Sequence, residues 1–177
     1  VALRGERYTG NDFAGDAVRR GAVAVVSEDN NWTRRDIPHL RVADARLALA
    51  DLAGAFYGEP SRRLAMVGIT GTNGKTTTAF MIRNLLQAAG RKTGLIGTIR
   101  YEIGDRLIPA TRTTPEAPDI QAMLDQMTQA GCQSCVMEVS SHGLAQQRVR
   151  GVDFDVGVFT NLTQDHLDFH TTMEEYF

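Results

Sequence analysis

The sequence predicts an α/β fold in which helices cover both faces of a mostly parallel sheet. From residue 64 onward, short apolar segments bounded by turn residues alternate with longer segments of helical periodicity. Strands are predicted at 64–70, 93–96, 134–139 and 154–159, helices at 75–89 and 115–130, and a further β-rich stretch at 99–108. Because parallel neighbours need a crossover connection, this alternation favours a parallel sheet over a set of hairpins.

The residues before 64 predict a smaller α/β part. Asp12 would cap a short helix that ends at Arg20 before Gly21, and strands are predicted at 22–26 and 40–42. A second helix would begin after Asp44 and end near Tyr57. Its apolar face would consist of Leu47, Leu49, Leu52, Ala53 and Phe56. We place a domain boundary near residue 43, which gives domains at 1–43 and 44–177.

Composition argues against two classes of partner. The 177 residues carry a net charge of −2, which gives no electrostatic reason to bind nucleic acid. The chain is 42% hydrophobic, yet it has no apolar stretch near the roughly 18 residues of a membrane-spanning helix. We expect a cytoplasmic monomer that binds neither nucleic acid nor membrane. Because the chain starts at Val1 without a methionine and stops abruptly at Phe177, we also expect a fragment.

The two cysteines, Cys132 and Cys135, are predicted to pack in the core. They lead into an apolar run typical of a buried strand, and free cysteine is among the most buried residue types. A zinc site would need two further ligands, and the sequence has no second CxxC pair. Nothing in this pair requires an oxidising compartment.

Residues 68–78, GITGTNGKTTT, join a predicted strand to a predicted helix. Gly71 and Gly74 permit positive φ angles and a close approach of the backbone to a ligand. The N–H groups of the turn and of the first helical residues would point at an anion. Lys75 would add a cation for the outer phosphates and Thr76 a hydroxyl for Mg²⁺. The sequence therefore predicts a P-loop-type nucleotide-binding domain, although Ile69 replaces the first glycine of the usual pattern.

Polar residues follow two other predicted strands. Glu138 ends one, and His166 lies shortly after the other. Because ligands bind at the carboxyl ends of parallel strands, both side chains should lie near the phosphate turn and hold a divalent cation. The alternatives are a salt-bridged Glu138 and a loop or helix-capping His166. We interpret Asp165, Asp168 and His170 as loop and capping residues, with Asp165 orienting His166.

Four ordered motifs carry a resemblance to a known family. After GITGTNGKTTT come TTPEA, MEVSSHGLAQQRV and FTNLTQDHLDFH, and together they resemble the Mur ligase family. Within it, the motifs look most like the enzymes that add the third amino acid to UDP-MurNAc-L-Ala-D-Glu, and EVSSHGL followed by QxR separates the chain from the folylpolyglutamate synthetase relatives. Residues 1–26 also resemble the end of the small uridine-binding domain of those enzymes. The resemblance therefore covers nearly the whole chain.

The resemblance implies an ATP-dependent amide ligase of peptidoglycan precursor synthesis. ATP would phosphorylate the D-Glu carboxylate, and the amine of meso-diaminopimelate or L-lysine would attack the acyl phosphate. Because phosphate leaves far more readily than oxide, the enzyme has mainly to align the reactants and neutralise charge. The implied phosphate-binding residues are Gly71, Thr72, Asn73, Gly74, Lys75, Thr76 and Thr77. The implied catalytic residues are Lys75, Glu138 and His166, and the implied Mg²⁺ ligands are Thr76, Glu138 and His166.

The resemblance also implies which residues contact the UDP-MurNAc-dipeptide. They are Thr113 and Thr114 through their hydroxyls, Ser140, Gln146 and Arg148, and, beside the uridine nucleotide, Glu6, Arg7 and Tyr8. Arg148 would neutralise a carboxylate or phosphate. Arg112 departs from the family pattern, which often has asparagine there. The carbamylated lysine and the C-terminal domain of the family would lie beyond the chain, so we expect the fragment alone to be inactive.

Other interpretations remain open at this point. Thr113 and Thr114 could cap the following helix, and Arg148 with Arg150 could form a solvated face. Another P-loop phosphotransferase or NTPase would share the turn but should carry an aspartate at the end of an apolar strand. A metal or interaction module could be built on Cys132, Cys135, His166 and His170. A hydrolase is disfavoured because no GxSxG elbow surrounds the serines beside His142.

Overall fold

The computed structural model describes residues 1–5, 8–30, 32–33 and 36–177. A short 3₁₀ turn over Gly10–Phe13 leads into helix α1, Ala14–Arg19. Strands β1, Val25–Ser27, and β2, His39–Arg41, pair in parallel. The predicted cap at Asp12 is wrong, because the 3₁₀ turn starts after Thr9, whose N–H donates to the Asp12 carboxylate at 3.4 Å. The first strand is also shorter and later than predicted.

Helix α2, Ala45–Tyr57, has the predicted bounds because both ends carry strong local signals. The Asp44 carboxylate accepts from Arg46 N at 2.8 Å and Leu47 N at 2.9 Å, and Gly58 ends the helix at a φ of 68°. The helix then packs on α4, and it also contacts β1.

The predicted apolar face of α2 is wrong for two of its five residues. Leu52 is 47% exposed and Phe56 82% exposed, whereas Ala53 is buried as predicted. The other buried residues of α2 are Ala45, Ala50 and Gly54. The residues that the fold buries on α2 are therefore small, and two of its larger apolar side chains stay exposed.

Six strands form the main sheet, in the order β6-β5-β4-β7-β3-β8. The strands are β3 Ala65–Thr70, β4 Thr93–Ile96, β5 Arg100–Ile103, β6 Arg106–Pro109, β7 Ser134–Glu138 and β8 Val156–Phe159. The four strands β4, β7, β3 and β8 are parallel, and β5 with β6 adds an antiparallel hairpin at one edge. The mostly parallel sheet predicted from the sequence is confirmed.

The helices that connect these strands lie on opposite faces of the sheet. Helix α3, Lys75–Ala88, covers one face, where Ile69, Ala79, Leu95 and Val136 form a core cluster. Helix α4, Ala117–Gln129, covers the other face with Ile120, Leu124 and Met127, which pack on Met66 and Met137. Alternate residues of β3 and β7 therefore point to different cores, as a strand with two covered faces requires.

One detail of the main sheet and its helices differs from the prediction. Helix α4 begins at Ala117 with Glu116 at its cap position and Pro118 in its first turn, so Thr113 and Thr114 do not cap it. Both cysteines are free and buried, which confirms core packing.

Short helices α5, Ser141–Ala145, α6, Leu167–His170, and α7, Met173–Tyr176, follow strands β7 and β8. Among the described residues, none of the helices is both long and apolar enough to cross a bilayer.

Candidate active site

The turn between β3 and α3 depends on two glycines with positive φ. Gly71 has a φ of 121° and Gly74 a φ of 86°. A Cβ atom at Gly71 would lie 2.3 Å from the Thr160 hydroxyl oxygen and 2.8 Å from Asn161 O. Only glycine therefore allows the end of β8 to lie this close to the turn.

The end of β8 holds the turn in place and occupies two of its N–H groups. Thr72 N donates to Asn161 O at 2.9 Å, and Asn73 N donates to Asn161 Oδ1 at 3.0 Å. Asn161 Nδ2 in turn donates to Asn73 O at 2.9 Å. The prediction that the N–H groups of the turn point at an anion is therefore wrong for Thr72 and Asn73, because Asn161 satisfies both.

Four N–H groups remain for an anion at the start of α3. Thr78 N makes the first helical bond, to Gly74 O at 2.9 Å. Within the described part of the chain, the N–H groups of Gly74, Lys75, Thr76 and Thr77 have no acceptor. Together with the positive end of the helix dipole, they form a site suited to phosphate. The Lys75 ammonium lies over the turn and donates to Gly71 O at 2.6 Å and Thr72 O at 2.9 Å.

Glu138 lies beside this turn as a buried carboxylate with neutral partners. It is 1% exposed and accepts from the Thr76 hydroxyl at 2.8 Å. Thr98 donates to it twice, from N and from Oγ1, each at 3.0 Å. No cationic side chain of the described residues forms an ion pair with it, so the predicted alternative of a salt-bridged Glu138 is wrong. A buried carboxylate next to a threonine hydroxyl fits Mg²⁺, which prefers oxygen ligands and would supply the missing charge.

Thr98 is a site residue that the sequence interpretation missed. It follows β4, a parallel strand at whose carboxyl end the sequence analysis predicted no site residue. Gly97 before it has no side chain, and a Cβ there would lie 2.4 Å from Glu138 Oε1. The Thr98 hydroxyl also lies 3.0 Å from that of Thr113. The strand-end rule that selected Glu138 would have found Thr98 as well.

A groove of about 300 Å³ collects the predicted phosphate and metal residues. It is lined by residues 72–77 of the turn and helix together with Thr98, Thr113 and Glu138. The structure therefore brings Lys75, Thr76 and Glu138 together, and it adds Thr113 from the predicted substrate set.

His166 lies outside the lining of this groove. Its ring packs at 4.9 Å from that of His142 and 6.1 Å from that of Tyr176, measured between ring centroids. Its backbone N–H donates to Asp165 Oδ1 at 2.8 Å, whereas its ring Nε2 lies 3.8 Å from Asp165 Oδ2, so the orienting role of Asp165 stays a prediction. The Tyr176 hydroxyl lies 2.9 Å from the Thr72 hydroxyl, so Tyr176 contacts both the turn and His166. Ligation of Mg²⁺ by His166 remains a prediction.

Thr114, Ser140 and Arg148 form one connected network behind Glu138. Thr114 is 1% exposed; its hydroxyl donates to Glu138 O at 3.1 Å and accepts from Ser140 N at 2.9 Å. With its only proton used in this way, Thr114 ties two segments together, and this does not favour donation to a substrate. The Ser140 hydroxyl accepts from Gly143 N at 3.1 Å and caps α5.

Arg148 is held by three neighbours from two segments. Its guanidinium donates to Thr114 O at 2.8 Å and Gln146 Oε1 at 2.6 Å, and it lies 3.1 Å from Glu116 Oε1. Arg112 pairs with the same Glu116 carboxylate. Burial and, to a smaller extent, the charges of Arg112 and Arg46 lower the pKa of Arg148, while Glu116 opposes them. Arg148 is thus not part of a solvated face: it is a positioned cation near Glu138.

The remaining predicted site residues lie elsewhere or outside the description. Glu6 and Arg7 fall outside the described residues, and Tyr8 is 69% exposed in the N-terminal part.

Burial raises the pKa of the Cys135 thiol, which makes it a poor metal ligand. No group of three or more histidine, cysteine or acidic side chains in the described ranges is placed to hold a metal ion.

Comparisons with known proteins identify the family of this chain. Residues 69–177 match the model of the Mur ligase middle domain. The chain is 53% identical over 98% of its length to UDP-N-acetylmuramoyl-L-alanyl-D-glutamate–2,6-diaminopimelate ligase from Geobacillus kaustophilus. It is 50% identical over its whole length to UDP-N-acetylmuramyl-tripeptide synthetase from Deinococcus radiodurans. The chain covers 35% and 37% of these proteins, so it spans about a third of the curated relatives that it matches.

Solved structures show the same relationship. A UDP-N-acetylmuramoyl-L-alanyl-D-glutamate–2,6-diaminopimelate ligase superposes with a TM-score of 0.83 at 31% identity, over 94% of this chain and 34% of that one. MurF from Thermotoga maritima in complex with ADP has a TM-score of 0.65 at 27% identity, over 99% of this chain and 37% of that one. On the family model, the identities and the fold together, the chain belongs to the Mur ligase family.

Proposed function

We propose that this chain carries the ATP-binding and carboxylate-activating part of a ligase that adds the third amino acid to UDP-MurNAc-L-Ala-D-Glu. The observation that carries the proposal is the groove in which Lys75, Thr76 and Glu138 meet next to four unpaired N–H groups. Such a site suits the triphosphate and its metal, and Thr113 in the same lining suits a reacting group beside them.

ATP phosphates would bind at the start of α3. The N–H groups of residues 74–77 would face the phosphate oxygens, and Lys75 would exchange its two carbonyl acceptors for them. Mg²⁺ would be held by Thr76 and Glu138, with His166 as the further predicted ligand. When bound there, Mg²⁺ would neutralise charge on the phosphates during transfer.

The muramoyl dipeptide would extend from the groove toward Arg148. Thr113 lines the groove itself. Arg148 donates to Thr114 O, and the Thr114 hydroxyl donates to Glu138 O, so this network leads from the groove to Arg148. Gln146 and Ser140 lie beside it. A substrate carboxylate would compete with Glu116 for the guanidinium, which is already fixed by Thr114 O and Gln146. Uridine contacts by Glu6, Arg7 and Tyr8 remain part of this proposal.

The D-Glu carboxylate would react at the γ-phosphate to give an acyl phosphate, and the incoming amine would then displace phosphate. Diaminopimelate is the first amino acid to test, because relatives from Geobacillus kaustophilus and Clostridium perfringens carry that name at 53% and 46% identity. L-Lysine is the alternative, because two relatives are named only as tripeptide synthetases.

The test measures ADP release by the natural gene product that carries this sequence. Release should require both UDP-MurNAc-L-Ala-D-Glu and the amino acid, and Lys75→Ala should abolish it. Lys92→Ala is the matched control, since Lys92 pairs with Asp105 on the surface. Release without the dipeptide would instead support an NTPase, and full turnover by Lys75→Ala would refute the role of that lysine.

A further inference from the structure

The hydroxyl of Thr72 joins the phosphate turn to two distant segments. Thr72 is only 9% exposed. Its Oγ1 donates to Thr163 O at 3.1 Å and accepts from Thr163 N at 3.0 Å. The Tyr176 hydroxyl is 2.9 Å away, and because the threonine proton is directed at Thr163, Tyr176 is the donor to Thr72.

The ring of Tyr176 contacts the histidines that follow β8. Its centroid lies 6.1 Å from that of His166 and 5.3 Å from that of His170, which is buried. A single side chain therefore touches the phosphate turn with its hydroxyl and the His166 segment with its ring.

The segment around His166 needs such a support. His166 has a φ of 52° and Thr171 a φ of 64°, a region disfavoured for residues with a Cβ atom. Helices α6 and α7 have four residues each, too short to be stable without outside contacts. The backbone that presents His166 is thus held by its packing, and Tyr176 connects that packing to the turn.

We propose that Tyr176 is a positioning residue that fixes the separation between the phosphate-binding turn and the imidazole of His166. The inference rests on the proposed function, because this separation matters only where the turn binds ATP and His166 contacts its metal. Tyr176 acts through Thr72 on one side and through its ring on the other. Without the hydroxyl, the turn and the His166 segment would become ordered relative to each other only when MgATP binds. The free energy that this ordering costs would weaken the binding of MgATP.

The experiment is Tyr176→Phe in the natural gene product, which removes the hydroxyl and keeps the ring. We expect the KM for ATP, and the Mg²⁺ concentration that gives half-maximal rate, to rise about three- to tenfold, as expected for one lost hydrogen bond. The KM for the muramoyl dipeptide should not change. Tyr57→Phe is the matched control, because Tyr57 lies on α2, which packs on α4 and β1.

A double-mutant cycle tests whether the effect passes through Thr72. In a Thr72→Val background, which lacks the acceptor, Tyr176→Phe should cause no further rise in the KM for ATP. In a Thr72→Ser background, which keeps a hydroxyl, Tyr176→Phe should still raise it. Equal effects in the two backgrounds would overturn the proposal, even if Tyr176→Phe alone proves less stable than the parent.

The outcomes separate this inference from the proposed function. If the parent protein shows no dipeptide-dependent ADP release, the proposed function fails. If the parent is active and Tyr176→Phe has the same KM for ATP and the same Mg²⁺ requirement, only the positioning role fails. A fall in kcat with both values unchanged would also overturn it, because positioning of MgATP predicts a change in its binding.

Discussion

Replacing Glu138 with glutamine tests whether this buried carboxylate is kept for a metal ion. The substitution preserves the size of the side chain and removes its charge. The amide oxygen could still accept from Thr98 N, which donates to Glu138 Oε1 at 3.0 Å. The amide nitrogen would face the hydroxyls of Thr76 and Thr98, and both can rotate to accept.

The magnitude follows from these bonds and from the burial of the charge. Three hydrogen bonds to a carboxylate become three neutral ones, which costs about 1 kcal/mol or slightly more for each changed bond. Removal of a desolvated charge without a cationic partner offsets much of this cost. We therefore expect the free energy of unfolding without ligand to change by less than about 1.5 kcal/mol. MgATP at a hundred times its Kd should stabilise the parent by about 2.7 kcal/mol, and this gain should largely vanish in the variant.

The assay is urea unfolding followed by circular dichroism, with and without MgATP, for the parent and Glu138→Gln. Glu59→Gln is the control, because Glu59 is exposed and pairs with Arg62 on the surface. Equal stabilisation of Glu138→Gln and parent by MgATP would refute the metal assignment. A variant that is unfolded without ligand would refute the hydrogen-bond reasoning instead.

Three further predictions concern the turn, the guanidinium and the histidine cluster. Gly71→Ala should lower the free energy of unfolding by about 1–3 kcal/mol more than Gly90→Ala, because both glycines have positive φ but only Gly71 would also clash; equal losses in urea unfolding would contradict the close approach. Arg148→Lys should raise the KM for the muramoyl dipeptide at least about tenfold and leave the KM for ATP unchanged, because one ammonium cannot replace three fixed contacts. Burial, with smaller effects from neighbouring histidines, lowers the pKa of His142 from 6.5 in the folded state. The unfolded chain then binds more protons, so stability should fall as pH drops below about 6.5, and His142→Gln should flatten the fall in a pH series of melting curves; an unchanged slope would contradict this.

Local signals in the sequence were sufficient for the elements that depend on neighbours in the chain. The Asp44 cap, the position of the glycine turn between β3 and α3, and the mostly parallel character of the sheet were all predicted from patterns along the chain. Glu138 was also found, because strand ends in a parallel sheet meet at one edge. In the structure, the Thr76 hydroxyl lies 2.8 Å from Glu138 Oε2.

Features set by packing between distant segments could not be predicted. Helical periodicity cannot tell which face of α2 is buried. The residues that the fold buries on this helix are small, whereas Leu52 and Phe56 are exposed. Thr114 was predicted to donate to substrate, but its hydroxyl is used inside the fold. The two N–H groups bound by Asn161 could not be anticipated either, because these contacts join residues 88 and 89 positions apart.

The dependence of the turn on Asn161 has a consequence for folding. Residues 71–73 take their shape from partners about 90 positions later in the chain. A peptide that contains only GITGTNGKTTT should lack that shape, because closing so long a loop must come first. During synthesis on the ribosome, the ability to hold a triphosphate should therefore arise only after strand β8 and Asn161 have left the exit tunnel.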